Sequence, residues 1–128
     1  MPDQDEINAF IRDAIRSVWA LELLLILKRD GAQSWTRDAL VRELRASDTL
    51  VADNLAIFES IGLVLPEPVP DGEDLYRYAP ASPVLASLSD RLESLYRQKP
   101  VAVINAIAGS AKDRLQTLAN AFRLKGDT

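Results

Sequence analysis

Histidine and cysteine are both absent from this chain, and those two absences remove most of the chemistry its side chains could perform. Without histidine, the commonest general base and the commonest neutral metal ligand are missing together. Without cysteine there is neither a thiolate metal site nor a disulfide framework. Serines and aspartates are present, but no histidine and no convincing lysine base stands ready to activate a nucleophile. The five glycines, at positions 31, 62, 72, 109 and 126, are scattered singly, so no glycine-rich loop can cradle a phosphate. The acidic group Glu67, Asp71, Glu73 and Asp74 lacks the alternating ligands and closing glutamate of a calcium loop and reads as a solvated turn. The expectation is a protein that is not an enzyme and holds no metal or other cofactor.

What remains is charge. The formal net charge is −4, the wrong sign for an obvious nucleic-acid binder. It is also uneven. Residues 34–80 carry four basic and nine acidic side chains, a net of −5, whereas residues 1–33 are net −2 and residues 81–128 net +3.

These residues must be positioned by one ordinary globular domain, since the 128 residues are 48% hydrophobic and 27% charged. A chain of this size buries roughly two-thirds of its unfolded surface, enough for a core without staples. The acidic start, Met1 to Glu6, does not read as a signal peptide. The most apolar run, Val18 to Leu27, is interrupted by Glu22 and falls short of the about 20 residues that cross a bilayer. The expected address is cytoplasmic, with no membrane partner.

Along the chain, Ile7, Phe10, Ile11, Ala14, Ile15 and Val18 recur at helical spacing. Whether that helix ends there or runs on through Trp19 to Leu27 is left open by the pattern; the second part is apolar almost all round, so Trp19 is expected in the core. Thr36 reads as an N-cap, with Trp35 before it able to staple onto Leu40. Ser47 reads as the N-cap of a further helix whose Leu50, Val51, Leu55, Phe58 and Ile61 face inward, and Gly62 stops it. Leu63–Leu65 and Leu75–Tyr78 are strand-like runs around an Asp71-Gly72 turn, and the prolines confine the first to a sheet edge. Ser82-Pro83 opens a helix carrying Leu85, Leu88, Leu92 and Leu95 at coiled-coil spacing. Lys99-Pro100 marks a break before a short helix over Val101–Ala108. Ser110 with Asp113 resembles a capping box for a last helix whose inner face is Leu115, Leu118, Ala119 and Phe122.

The order of helix, short helix, helix and two-stranded hairpin over residues 17–79 resembles a winged helix-turn-helix domain. The phrase Leu55-Ala56-Ile57-Phe58-Glu59-Ser60-Ile61-Gly62-Leu63-Val64 is similar to the end of the recognition helix and its exit into the wing in transcriptional regulators of the MarR and PadR families. The resemblance covers about half of the chain. It implies a mainly α fold with a small β-hairpin wing, residues 1–80 forming an N-terminal helix plus winged domain and residues 81–128 a helical extension. It also implies a homodimer, for which the seam Leu85, Leu88, Leu92 and Leu95 is the expected contact.

A winged helix meets DNA through its third helix and wing. Phosphate contacts need Arg or Lys, and base reading favours Arg, Lys, Asn and Gln. The residues expected to touch DNA are therefore Arg37, Arg42, Thr49, Asn54 and Arg77. The same region departs from those families in its acidity, with Asp48 and Asp53 on the third helix and Asp71, Glu73 and Asp74 at the wing tip. That opens an alternative, an adaptor that does not bind DNA and whose Asp48, Asp53 and Glu73 dock a basic partner protein. Surface pairing of the arginines with Asp38, Glu43 and Asp48 is the plain structural reading of the same residues.

Overall fold

The computed structural model describes residues 2–126, with side-chain surroundings through residue 122. The chain is mainly helical with one small antiparallel sheet, as the sequence indicates at that level. Its order is α1 (Gln4–Ala14), α2 (Val18–Arg29), β1 (Trp35–Thr36), α3 (Arg37–Leu44), α4 (Asp48–Ile61), β2 (Val64–Glu67), β3 (Leu75–Tyr78), α5 (Pro83–Gln98) and α6 (Pro100–Gly126).

Capping chemistry sets most of these boundaries. Asp3, Ser17, Thr36, Ser47 and Ser82 each accept a hydrogen bond from the backbone N–H three residues on, at 2.9–3.2 Å. Ser17 settles the question left open over residues 5–29: there are two helices, because its side chain caps α2 on Ala20 while Ile15 leaves helical geometry. At the end of α4, Gly62 takes a left-handed φ of 95° and, with Leu63, donates back to the Phe58 carbonyl. A Cβ there would also lie 3.1 Å from that of Ala81, so only glycine turns the chain into β2 without a shift.

The sheet runs β1-β3-β2. In the hairpin Val64 faces Tyr78 and Glu67 faces Leu75, while Trp35 and Thr36 add a two-residue strand opposite Tyr76 and Leu75. Pro66 sits in β2, which is an edge strand, so its missing N–H breaks no ladder bond.

One buried cluster runs from Ile7 in α1 through Leu21, Leu24, Leu55 and Phe58 to Ile107 in α6. Three expectations are corrected by it. Trp19 is 48% exposed and lies outside the core. Leu88 and Leu92 are buried within the single chain, and Leu85 and Leu95 pack against the same core. The α5 seam therefore packs largely on its own chain, with only Leu85 and Leu95 partly open. Thirdly, α6 is continuous from Pro100 to Gly126, with no restart at Ser110. An interior glycine at 109 costs about 1 kcal/mol of helix propensity. Val103 and Ile107 anchor the helix just before it. Just after it, the Arg114 guanidinium donates to the carbonyls of Arg12, in the last turn of α1, and of Arg16, in the link to α2, at 3.4 and 3.2 Å. The supposed inner face is the exposed one: Leu115 is 67%, Leu118 55% and Phe122 67% exposed.

Candidate macromolecular interface

The face formed by α4 and the β2–β3 hairpin carries the residues singled out from the sequence. Helix α4 packs through Val51, Asn54, Leu55 and Phe58, a stripe at helical spacing that leaves Asp48, Thr49, Asp53, Ala56 and Glu59 exposed. Its solvent side therefore carries three carboxylates and no cation. At the hairpin tip Asp71, Gly72, Glu73 and Asp74 are all exposed.

The residues expected to touch DNA fare unequally. Asn54 is only 7% exposed and donates its amide N–H to the Leu50 carbonyl at 2.8 Å, so it cannot reach a base. It completes the i, i+3, i+4, i+7 stripe, which is why it lies inside. Arg37 Nε is 2.9 Å from Asp48; the two residues assigned to rival roles are partners of each other, tying the start of α3 to the start of α4. Arg77 on β3 donates to Glu67 on β2 at 2.8 Å, so its charge is balanced inside the hairpin. Glu43 binds Arg29 at 3.0 Å. Arg42 and Thr49 are exposed and enter no ion pair or side-chain hydrogen bond among the described residues. Of the three acids considered for partner docking, Asp48 is engaged by Arg37, while Asp53 and Glu73 are open to solvent.

The Arg37–Asp48 pair is 42% and 58% exposed, and ion pairs this wet are worth about 0–1 kcal/mol. Arg37→Ala accordingly lowers the unfolding free energy by less than about 1 kcal/mol in urea titrations. A loss above about 2 kcal/mol would show the pair to be shielded from water.

Sequence reasoning missed the group that fixes the hairpin against the helices behind it. Lys28, at the end of α2, has a side chain only 6% exposed and reaches Asp90 at 2.7 Å and Glu93 at 2.8 Å on α5. Its ammonium also lies 5.9 Å from the ring centre of Tyr78 on β3. Burial works to lower the Lys28 pKa, but the hydrogen bonds and charges of Asp90 and Glu93 outweigh it and leave the group above its ordinary 10.5. Burial likewise pushes the Tyr78 phenol above 10.0, against a smaller opposing pull from the Ser89 hydroxyl and the Lys28 charge. From sequence, Lys28 looked only like a basic residue in a helix's last turn; partners more than sixty residues away left no local signal.

No group of three or more carboxylates among the described residues could hold a metal ion, and no helix there is long and apolar enough to cross a membrane. No protein-family model matches the chain, and no curated protein matches it either. Among solved structures the chain is similar to RV1404 from Mycobacterium tuberculosis, with a TM-score of 0.53 and 16% identity over 94% of this chain and 82% of that one. At that identity the likeness speaks for the fold alone.

Proposed function

We propose that this is a winged-helix protein of the transcriptional-regulator type, acting as a homodimer, whose α4–hairpin face docks a basic partner protein. The winged-helix reading is supported by the order α2-β1-α3-α4-β2-β3 with the third strand interposed as β1-β3-β2. The choice of partner rests on one observation: the outward side of α4 bears Asp53 and Glu59 open to solvent, beside an Asp48 balanced by Arg37, and no basic residue of its own. A phosphate backbone would be repelled there, while lysines and arginines of a protein would be attracted. Direct DNA contact is the second reading, favoured by the exposed Arg42 and Thr49 near the turn between α3 and α4.

If acidity is what keeps DNA off, the wild type gives no shift of random-sequence duplexes even at about 50 mM salt. Asp53→Lys combined with Glu73→Lys then confers binding that weakens steeply with salt, by a log–log slope of about −0.9 per phosphate contacted. Electrophoretic shifts at several salt concentrations read both. A salt-sensitive shift by the wild type, lost in Arg42→Ala, would instead establish the DNA reading. A doubly reversed variant that still ignores DNA would mean that this face is not presented as a winged helix presents it.

A further inference from the structure

Trp19 stands near the start of α2 at 48% exposure, although Ala20, Leu21, Leu23 and Leu24 beside it are fully buried. With Val18, Glu22, Ile26, Glu43 and Leu44 it lines an open notch of about 540 Å³ between α2 and the end of α3. The two carboxylates differ. Glu43 is held by Arg29 at 3.0 Å. Glu22 is half-buried and accepts a hydrogen bond from the Tyr96 hydroxyl at 2.8 Å, and it has no cation within ion-pair distance among the described residues. The bond to Glu22, and after it burial, holds the Tyr96 pKa above 10.0; the phenol is neutral and cannot balance the carboxylate. An apolar notch with an open indole and one unbalanced carboxylate is complementary to a long side chain ending in a positive charge.

We infer that this notch receives an arginine or lysine side chain of the basic partner, its methylene stem lying along Val18, Ile26 and Leu44 and its cation set between the Trp19 ring and the Glu22 carboxylate. The inference rests on the adaptor reading for the partner's charge, but on different residues and different helices. Arginine is the better occupant, because its planar group stacks on an aromatic face and offers several donors to a carboxylate.

The test is fluorescence anisotropy of a labelled peptide of alternating arginine and alanine, titrated with the intact protein at about 50 mM salt. Trp19→Ala weakens binding about tenfold and leaves the protein folded, with a melting temperature only several degrees lower because half of the indole already stands in solvent. Glu22→Gln, which can still accept from Tyr96, produces a comparable loss. A peptide with citrulline for arginine, equal in shape but uncharged, binds the wild type no better than arginine binds Trp19→Ala. Three results overturn the inference: a wild type that ignores the arginine peptide, a Trp19→Ala variant that binds as the wild type does, or a Trp19→Ala variant that becomes monomeric because a second copy covers the notch. Asp53→Lys with Glu73→Lys, measured in parallel, separates the two readings. Loss there with an unchanged Trp19→Ala leaves the α4 face standing and the notch refuted; the reverse leaves the notch standing alone.

Discussion

Replacing Leu118 and Phe122 together with glutamate should separate the proposed dimer into monomers while leaving the melting temperature close to that of the wild type. The leucines that the sequence offers for a dimer lie on α5, but Leu88 and Leu92 are already buried in the core of their own chain. The apolar surface left over is on α6, where Leu115, Leu118 and Phe122 follow at spacings of three and four and are 67%, 55% and 67% exposed. Beside them, α1 and α6 enclose an open groove of about 920 Å³ whose lining includes Ile11, Ala106, Gly109, Leu118 and Ala121. Small residues there leave room for the large ones of a second α6, so the helix carries both knobs and hollows. Fully burying a large apolar side chain is worth about 1.5–3 kcal/mol, and more than half of that remains available at each of these positions. Two residues from each of two subunits amount to about 4–7 kcal/mol, a change of at least a thousandfold in the dissociation constant. Sedimentation or light scattering across concentrations measures it. A wild type that is monomeric at high concentration, or a double variant that stays dimeric, would remove the dimer from the proposal. By contrast Leu92→Ala, at a fully buried position, would act on folding itself, at about 2–5 kcal/mol.

What could be read from the sequence follows the range of the forces involved. Thr36, Ser47 and Ser82 were legible as N-caps because the cap bond spans three residues and depends on one side chain. Gly62 was legible for a similar reason, and the prolines placed β2 at an edge. The two-residue strand β1 was not legible, since Trp35 and Thr36 are strand only by pairing with residues forty positions away. Gly109-Ser110 looked like a boundary because local propensity says so; the continuity of α6 is imposed by Val103 and Ile107 on one side and by Arg114 on the carbonyls of Arg12 and Arg16 on the other. Periodicity identified the α5 leucines as an apolar face but carries no information about whether the same chain or another covers it. Trp19 failed for the opposite reason. In a helix apolar nearly all round, the pattern cannot say which side is left open. On the candidate face, the exposure of Asp53 and Glu73 was readable, and so was a pairing of the arginines with Asp48, which Arg37 makes, whereas the capture of Arg77 by Glu67 across the hairpin was not. Asn54 was expected to touch DNA, although its place in the 51, 54, 55, 58 stripe already put it inside.

Lys28→Met should cost about 2–3 kcal/mol of stability and change how the protein responds to alkali. The substitution keeps most of the buried stem and deletes the charge, so the loss reports on the ion cluster. Breaking a fully buried pair by removing one partner costs about 3–5 kcal/mol. Here Asp90 is 71% exposed and can return to water, while Glu93, only 24% exposed, keeps just the solvent-exposed Arg97 at 3.1 Å; the expected loss therefore falls below that range. For a domain of this length it corresponds to a melting temperature lower by roughly 6–15 °C. Adding Glu93→Leu should recover part of it, because the half-buried carboxylate, left with only the exposed Arg97, is then gone. The pH dependence has a definite sign. The folded state binds the protons of Lys28, Tyr78 and Tyr96 more tightly than their ordinary 10.5, 10.0 and 10.0 imply, so their contribution is fully present below pH 10. It drains away as pH rises through the raised folded values. Wild-type melting temperature should thus hold level across neutral pH and fall beyond pH 10, and Lys28→Met, starting lower, should fall less steeply there. Equal alkaline slopes for the two proteins would mean that Asp90 and Glu93 do not hold the ammonium in solution, and that Tyr78 and the hairpin are fixed against α5 by packing alone.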